Sequence, residues 1–180
     1  MKYADIVKHT RFPSPMTTDL KYLFIVLENM NKDYGLDLNP DFQRGHVWTT
    51  QNQTTYVEFL LRGGKTQPFL FNSPAYGGRT SDECDLDETI VLVDGKQRLT
   101  SIQLFILNDL PVFDGVFFDD FEDKNKLLRS ISLEYSINSL QRKSELLNWY
   151  LEMNSNCVAH DSSELDRVRS MLKNLSKQTT

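Results

Sequence analysis

The segment Thr89 to Leu107, TIVLVDGKQRLTSIQLFIL, constrains the fold more than any other part of the chain. Ile90, Val91, Leu92 and Val93 form a short apolar run rich in β-branched residues. Asp94-Gly95 breaks the run, and Leu99, Ile102, Phe105 and Ile106 then recur at helical spacing. The pattern predicts a buried strand, a tight turn and a helix. The turn carries Asp94, Lys96, Gln97 and Arg98, the densest group of functional side chains in the sequence. A helix start presents unpaired N–H groups and the positive end of the helix dipole. A glycine there lets backbone approach a ligand closely. Arg98 falls in the first helical turn, where a cation opposes the dipole unless something negative lies beside it. Two arrangements resolve this: a bound phosphate, or an Arg98–Asp94 pair that buttresses the turn.

The chain of 180 residues is long enough for one domain with a sizeable core, and no linker-like stretch or internal repeat divides it. A net charge of −5 argues against a general nucleic-acid coat protein. It leaves room for a local basic groove, because binding follows patches rather than totals. Cys84 and Cys157 make neither metal-type nor C-x-x-C spacing and read as reduced thiols of a cytoplasmic protein. The opening MKYADIVKHTRFPSP has no apolar signal region, and the longest apolar run, Tyr22 to Leu27, is far too short to span a bilayer, so no membrane partner is expected.

Periodicity along the rest of the chain gives a coarse map. Thr17 or Thr18 is expected to cap a helix with Leu20, Leu23, Phe24, Leu27 and Met30 inward, ending at Gly35. Leu36 to Leu38 reads as a short strand. Thr49 or Thr50 caps a second helix with Tyr56, Phe59 and Leu60 inward, stopped by Gly63-Gly64. Gln67 to Phe71 reads as a strand, and Asn72 to Glu88 as a long polar loop. Its acids Asp82, Glu83, Asp85, Asp87 and Glu88 lack the glycine pattern of a calcium loop. Strands are expected at Val112 to Phe118 and Ser130 to Ile137. A helix from Ser139 or Leu140 carries Leu146, Trp149, Tyr150 and Met153 on one face and stops at Asn154 to Asn156. A last helix, capped by Asp161 or Ser162, turns Leu165, Val168, Leu172 and Leu175 inward, with a frayed tail from Ser176 to Thr180. Strands and helices interleave without strict alternation, which predicts an α+β fold: a small mixed sheet covered by helices.

A second polar segment, NPDFQRGHVW from Asn39 to Trp48, places Gln43, Arg44 and His46 in a stretch too short to hide them all. An arginine beside an amide suits a phosphate, a carboxylate or a base edge. The plainer alternative is a polar loop whose Arg44 pairs with an acidic neighbour. Trp48 suits a core position or a stacking wall.

Taken together, the two segments resemble the N-terminal domain of GmrSD-type restriction endonucleases. Asn39-Pro40-Asp41-Phe42-Gln43-Arg44 with Val47-Trp48 is similar to that family's P-x-Y-Q-R-x-x-V-W segment. Val93-Asp94-Gly95-Lys96-Gln97-Arg98-Leu99-Thr100 resembles its V-D-G-Q-Q-R-L-T motif. Trp149 to Ser155, with Asp161 to Glu164, resembles the later L-N-x-G-G segment and its following helix. The resemblance implies a ParB/sulfiredoxin-like core with C-terminal helices. It also implies a nucleotide or phosphate site and a link to nucleoside-triphosphate hydrolysis or DNA cleavage in phage defence. By position it assigns Asp94, Gly95, Gln97 and Arg98 to the phosphate turn, Gln43 and Arg44 to the facing loop, and Asn154 to a secondary place. Asp94 is the implied ligand of a divalent metal such as magnesium, or the group that orients a water. The sequence departs from the family where Lys96 replaces the first glutamine of the motif and Asn156-Cys157 stands for Gly-Gly.

The larger relatives carry a second nuclease domain. Here the sequence ends at Thr180, and His9, His46 and His160 form no His-Asn-His motif. Chemistry is therefore expected only at the phosphate turn, unless a separate effector or nuclease chain supplies the rest. Three functions compete: a nucleoside-triphosphate hydrolase or ParB-like nuclease using a divalent metal, a nucleotide- or DNA-binding regulatory module without turnover, and a purely structural domain. The last would show Arg44 and Arg98 locked to internal carboxylates.

Overall fold

A computed structural model describes residues 15–43, 48–76, 78, 80–155 and 162–178. Among them are five strands and six α-helices: β1 (Met16–Asp19), α1 (Leu20–Tyr34), β2 (Leu36–Asp37), α2 (Thr50–Leu61), β3 (Phe69–Asn72), β4 (Ile90–Asp94), α3 (Lys96–Ile106), α4 (Lys124–Ser130), β5 (Ser132–Asn138), α5 (Lys143–Ser155) and α6 (Ser162–Gln178). The strands form one mixed sheet in the order β1-β5-β3-β4-β2. The β1–β5 and β3–β4 pairs are antiparallel, whereas β3–β5 and β2–β4 are parallel. The α+β class read from the sequence is the one observed.

Strand β4 shows how the sequence sets the two faces of the sheet. Side chains alternate along a strand. Ile90 and Leu92 enter one apolar cluster with Leu20, Leu23, Leu27, Phe69, Phe71, Leu99 and Ile102. Val91 and Val93 turn to the other face, packing with Phe42, Leu146, Trp149, Tyr150 and Val168 of the α5/α6 side. Both faces are therefore covered by helices, which explains why β4 reads as a continuous apolar run. A third cluster, Val57, Phe105, Leu110, Val112 and Phe118, joins α2 to α3 and the segment after it.

Several local expectations change. Thr17 and Thr18 do not cap α1, because they lie in β1, paired with Glu134 and Leu133 of β5; the cap is Asp19, whose Oδ1 accepts the Tyr22 N–H at 3.0 Å. Phe59 is 48% exposed, and the buried stripe of α2 runs through Gln53, Val57 and Leu60 instead. The strand expected over Val112–Phe118 reduces to one bridge between Val112 and Val116. Phe113, Asp114 and Gly115 all take positive φ there, closing a turn around the Asp-Gly dipeptide. Ser130 ends α4, a helix the periodicity did not show, and β5 begins at Ser132. Asn154 and Ser155 continue α5 rather than stopping it, and α6 extends through Gln178, past the expected start of the frayed tail. Asp161 and Asn156 lie outside the described residues.

Candidate functional site

The strand–turn–helix from Ile90 to Ile106 is present, with Gly95 as its pivot. Gly95 is the N-cap of α3 in the left-handed region, at φ +110°, and among the described residues no side chain caps the helix. A Cβ at this position would lie 2.5 Å from Cδ1 of Phe69. Glycine is required here on two counts, backbone conformation and room. The first turn of α3 holds no acidic residue, so Lys96 and Arg98 bring positive charge to the positive end of the dipole.

Arg98 is turned inward. Nη1 donates to Thr66 Oγ1 at 3.2 Å and to the Gln67 carbonyl, and Nη2 donates to the Pro68 carbonyl at 3.2 Å and to Asp94 Oδ2 at 2.6 Å. Its guanidinium also lies over the Phe69 ring, 5.1 Å from the centroid. The side chain is 12% exposed, against 44% for Asp94. Arg98 thus forms the pair with Asp94 that the sequence allowed. It fastens the loop before β3 to the turn and fixes the direction of the Asp94 carboxylate. Tyr56 lies in the same neighbourhood, its ring meeting Trp48 edge to face at 5.5 Å. Its hydroxyl is buried beside the Thr66 side chain, outside good hydrogen-bond geometry. Burial raises its pKa above the ordinary value, and the nearby Thr66 hydroxyl and Arg98 guanidinium oppose that rise.

The two polar segments meet. Gln97 Oε1 accepts the backbone N–H of Trp48 at 3.2 Å. Gln43 Nε2 donates to the Leu92 carbonyl of β4 at 2.6 Å. Among the described residues the buried Oε1 of Gln43 has no hydrogen-bond partner, an uncommon state for a buried acceptor. Arg44 and His46 lie outside the described residues, so the proposed partnership of Arg44 with Arg98 falls outside them too. Asn154 is 6% exposed within α5, where its Nδ2 donates to the Tyr150 carbonyl at 2.7 Å.

Two residues that the sequence reading passed over hold the first segment in place. Arg167 of α6 donates to the carbonyls of Asp41 (2.6 Å) and Gln43 (3.1 Å), and Lys143 Nζ lies 2.9 Å from Asp41 Oδ2. Nothing in their local sequence marks them. A cavity of about 280 Å³ opens on the α5 side of the sheet, bounded by Asp37, Asp41, Asp87 and Lys143 and by apolar Phe42, Val91 and Leu146. Asp94, Lys96 and Arg98 do not line it. Among the described residues no group of three or more His, Cys, Asp or Glu is placed to hold a metal ion, and no helix is long and apolar enough to cross a membrane.

The fold and site define a small mixed-sheet α+β domain in which two polar turns, distant in sequence, are joined at the end of one strand. Residues 25–179 match the family model of the GmrSD restriction endonuclease N-terminal domain, and the chain belongs to that family. No curated protein and no solved structure matched the chain.

Proposed function

We propose that this domain binds a phosphate-bearing ligand, a nucleotide or a nucleic-acid strand, where the Asn39–Trp48 segment meets the N-terminus of α3, as part of a restriction or phage-defence system. The observation that carries the reading is the contact of the two turns through Trp48–Gln97 and Gln43–Leu92, beside an uncapped helix start with Lys96 in its first turn. Backbone N–H groups and the dipole there favour an anion. Lys96 adds charge, the family resemblance assigns Arg44 to the same site, and Gln97 holds the Trp48 end of the first segment in place. Arg98 acts by orienting Asp94 rather than by offering its own fork. The orphaned Oε1 of Gln43 favours a ligand that brings a donor as well as phosphates, such as a sugar hydroxyl or a base amino group. A divalent metal would find one partly exposed carboxylate, Asp94, which suits an ion that arrives with phosphate ligands of its own. Such an ion would neutralise charge developing on the phosphates.

Turnover and binding alone remain two readings. For hydrolysis, Asp94 orients a water. Binding without turnover is favoured by the engagement of Asp94 Oδ2 by Arg98. Calorimetric titration with ATP, GTP and a short DNA duplex, with and without magnesium, tests the site. Lys96→Ala should weaken binding about tenfold, the loss of about 1.4 kcal/mol. Phosphate release that disappears in Asp94→Ala selects the hydrolase. Failure of the wild-type protein to bind any of these ligands removes the proposal.

A further inference from the structure

The turn Pro40–Gln43 is fixed on three sides. The N–H of Gln43 closes it on the Pro40 carbonyl at 3.0 Å. Phe42 is 2% exposed, buried in the α5/α6 core, and meets the Tyr150 ring edge to face at 5.2 Å. The Gln43 side chain reaches inward to Leu92 of β4. The carbonyls of Asp41 and Gln43 point the other way, to the two Nη atoms of Arg167, which lies 124 residues beyond Gln43 in sequence. A planar guanidinium can hold two carbonyls two residues apart in one fixed geometry, whereas an ammonium serves them only as a point charge. Val168, the next residue of α6, is fully buried, so the helix that carries the guanidinium is seated in the same core as Phe42.

We infer that Arg167 is a positioning residue of the phosphate site: it fixes the Pro40–Gln43 turn, and with it the Gln43 side chain, and so makes ligand binding depend on the seating of α6. The inference rests on the site proposed above. It draws two carbonyl oxygens, the negative ends of their peptide dipoles, onto a cation on the helical side. It also predicts a division of effects. Arg167 is exposed, so its loss should barely change global stability while loosening the turn.

The test uses the 180-residue protein as Arg167→Ala, Arg167→Lys and Arg169→Ala. Arg169 lies on the same helix, paired with Asp166, and serves as the control. Amide hydrogen exchange is followed at Gln43, and magnesium-ATP affinity is measured for each protein. Arg167→Ala should speed exchange at Gln43 about tenfold and weaken ATP binding by a similar factor, with an unchanged urea midpoint. Arg167→Lys should recover part of both losses, and Arg169→Ala should match the wild type. Unchanged Gln43 exchange in Arg167→Ala overturns the inference whether or not ATP binds. Unchanged ATP affinity, in a protein whose wild type binds, overturns it while leaving the proposed site standing. A wild-type protein that binds no ATP counts against that site, and the exchange measurement then decides the role of Arg167 alone.

Discussion

The two polar turns that meet at β4 are stabilised in opposite ways. The Asp94–Arg98 turn holds itself together: Gly95 supplies the left-handed pivot, Arg98 reaches back four residues to Asp94, and the Phe69 ring fills the space beneath. The partners of Arg98 lie within the strand–turn–helix, in the loop entering β3 or at the start of β3. The Pro40–Gln43 turn is held from elsewhere, by Lys143 and Arg167 at the far end of the chain and by one strand carbonyl. The first is part of the core and should respond to mutation as core does. The second enters the core only through Phe42 and is otherwise held by exposed side chains, whose loss should be felt locally.

The sharpest way to break that contrast is Gly95→Ala. Left-handed strain and the approach to Phe69 should together cost about 2–5 kcal/mol, read from urea denaturation. Against a typical domain stability of about 5–15 kcal/mol, this loss would leave little reserve. A cost below about 1 kcal/mol would mean that the turn relaxes freely and is no more integral than its counterpart. Next comes Arg98→Ala, expected to cost about 2–3 kcal/mol because it strips a charged donor from two carbonyls, a hydroxyl and a carboxylate. A double-mutant cycle with Asp94→Ala should give a coupling of about 1 kcal/mol or more. Additive losses would show that the ion pair contributes nothing beyond the backbone contacts.

The smallest effect belongs to Tyr56→Phe, which should lie within about 0.5 kcal/mol of the wild type at pH 7, since the hydroxyl makes no well-formed hydrogen bond. Burial raises the Tyr56 pKa above 10.0 in the folded chain, so the fold favours the neutral phenol. Its stability is complete below the unfolded pKa and is lost as pH rises past about 10 toward the folded value. The phenylalanine variant should flatten that decline in a pH series of denaturation midpoints. An unaltered slope would assign the alkaline loss to other groups.

What could be read from the sequence follows the range of the interactions. The strand, glycine and helix around Asp94 are written in adjacent residues, so the turn and its Asp94–Arg98 alternative were both legible. The α+β class followed from the same periodicities. Strand β1 was not legible, because Met16-Thr17-Thr18-Asp19 has no apolar alternation and becomes a strand only through pairing with β5. Helix α4 has no buried residue to give it a stripe. The Arg167 clamp is invisible for a related reason: a lone arginine on a polar helix face gives no sign of the carbonyls it will meet. That the two polar segments belong together came from resemblance to a family, and the family match agrees with it.

Strand β2 pairs with only Ile90 and Val91, so the main chain of β4 beyond them has no strand partner on that side. The amide of Gln43 occupies the next oxygen along, at Leu92, as a further residue of β2 would. One side chain thereby stands in for a missing strand residue. Loss of the Gln43 amide would thus strand one buried carbonyl in the middle of the sheet, a penalty of about 1–3 kcal/mol set by desolvation rather than by any ligand.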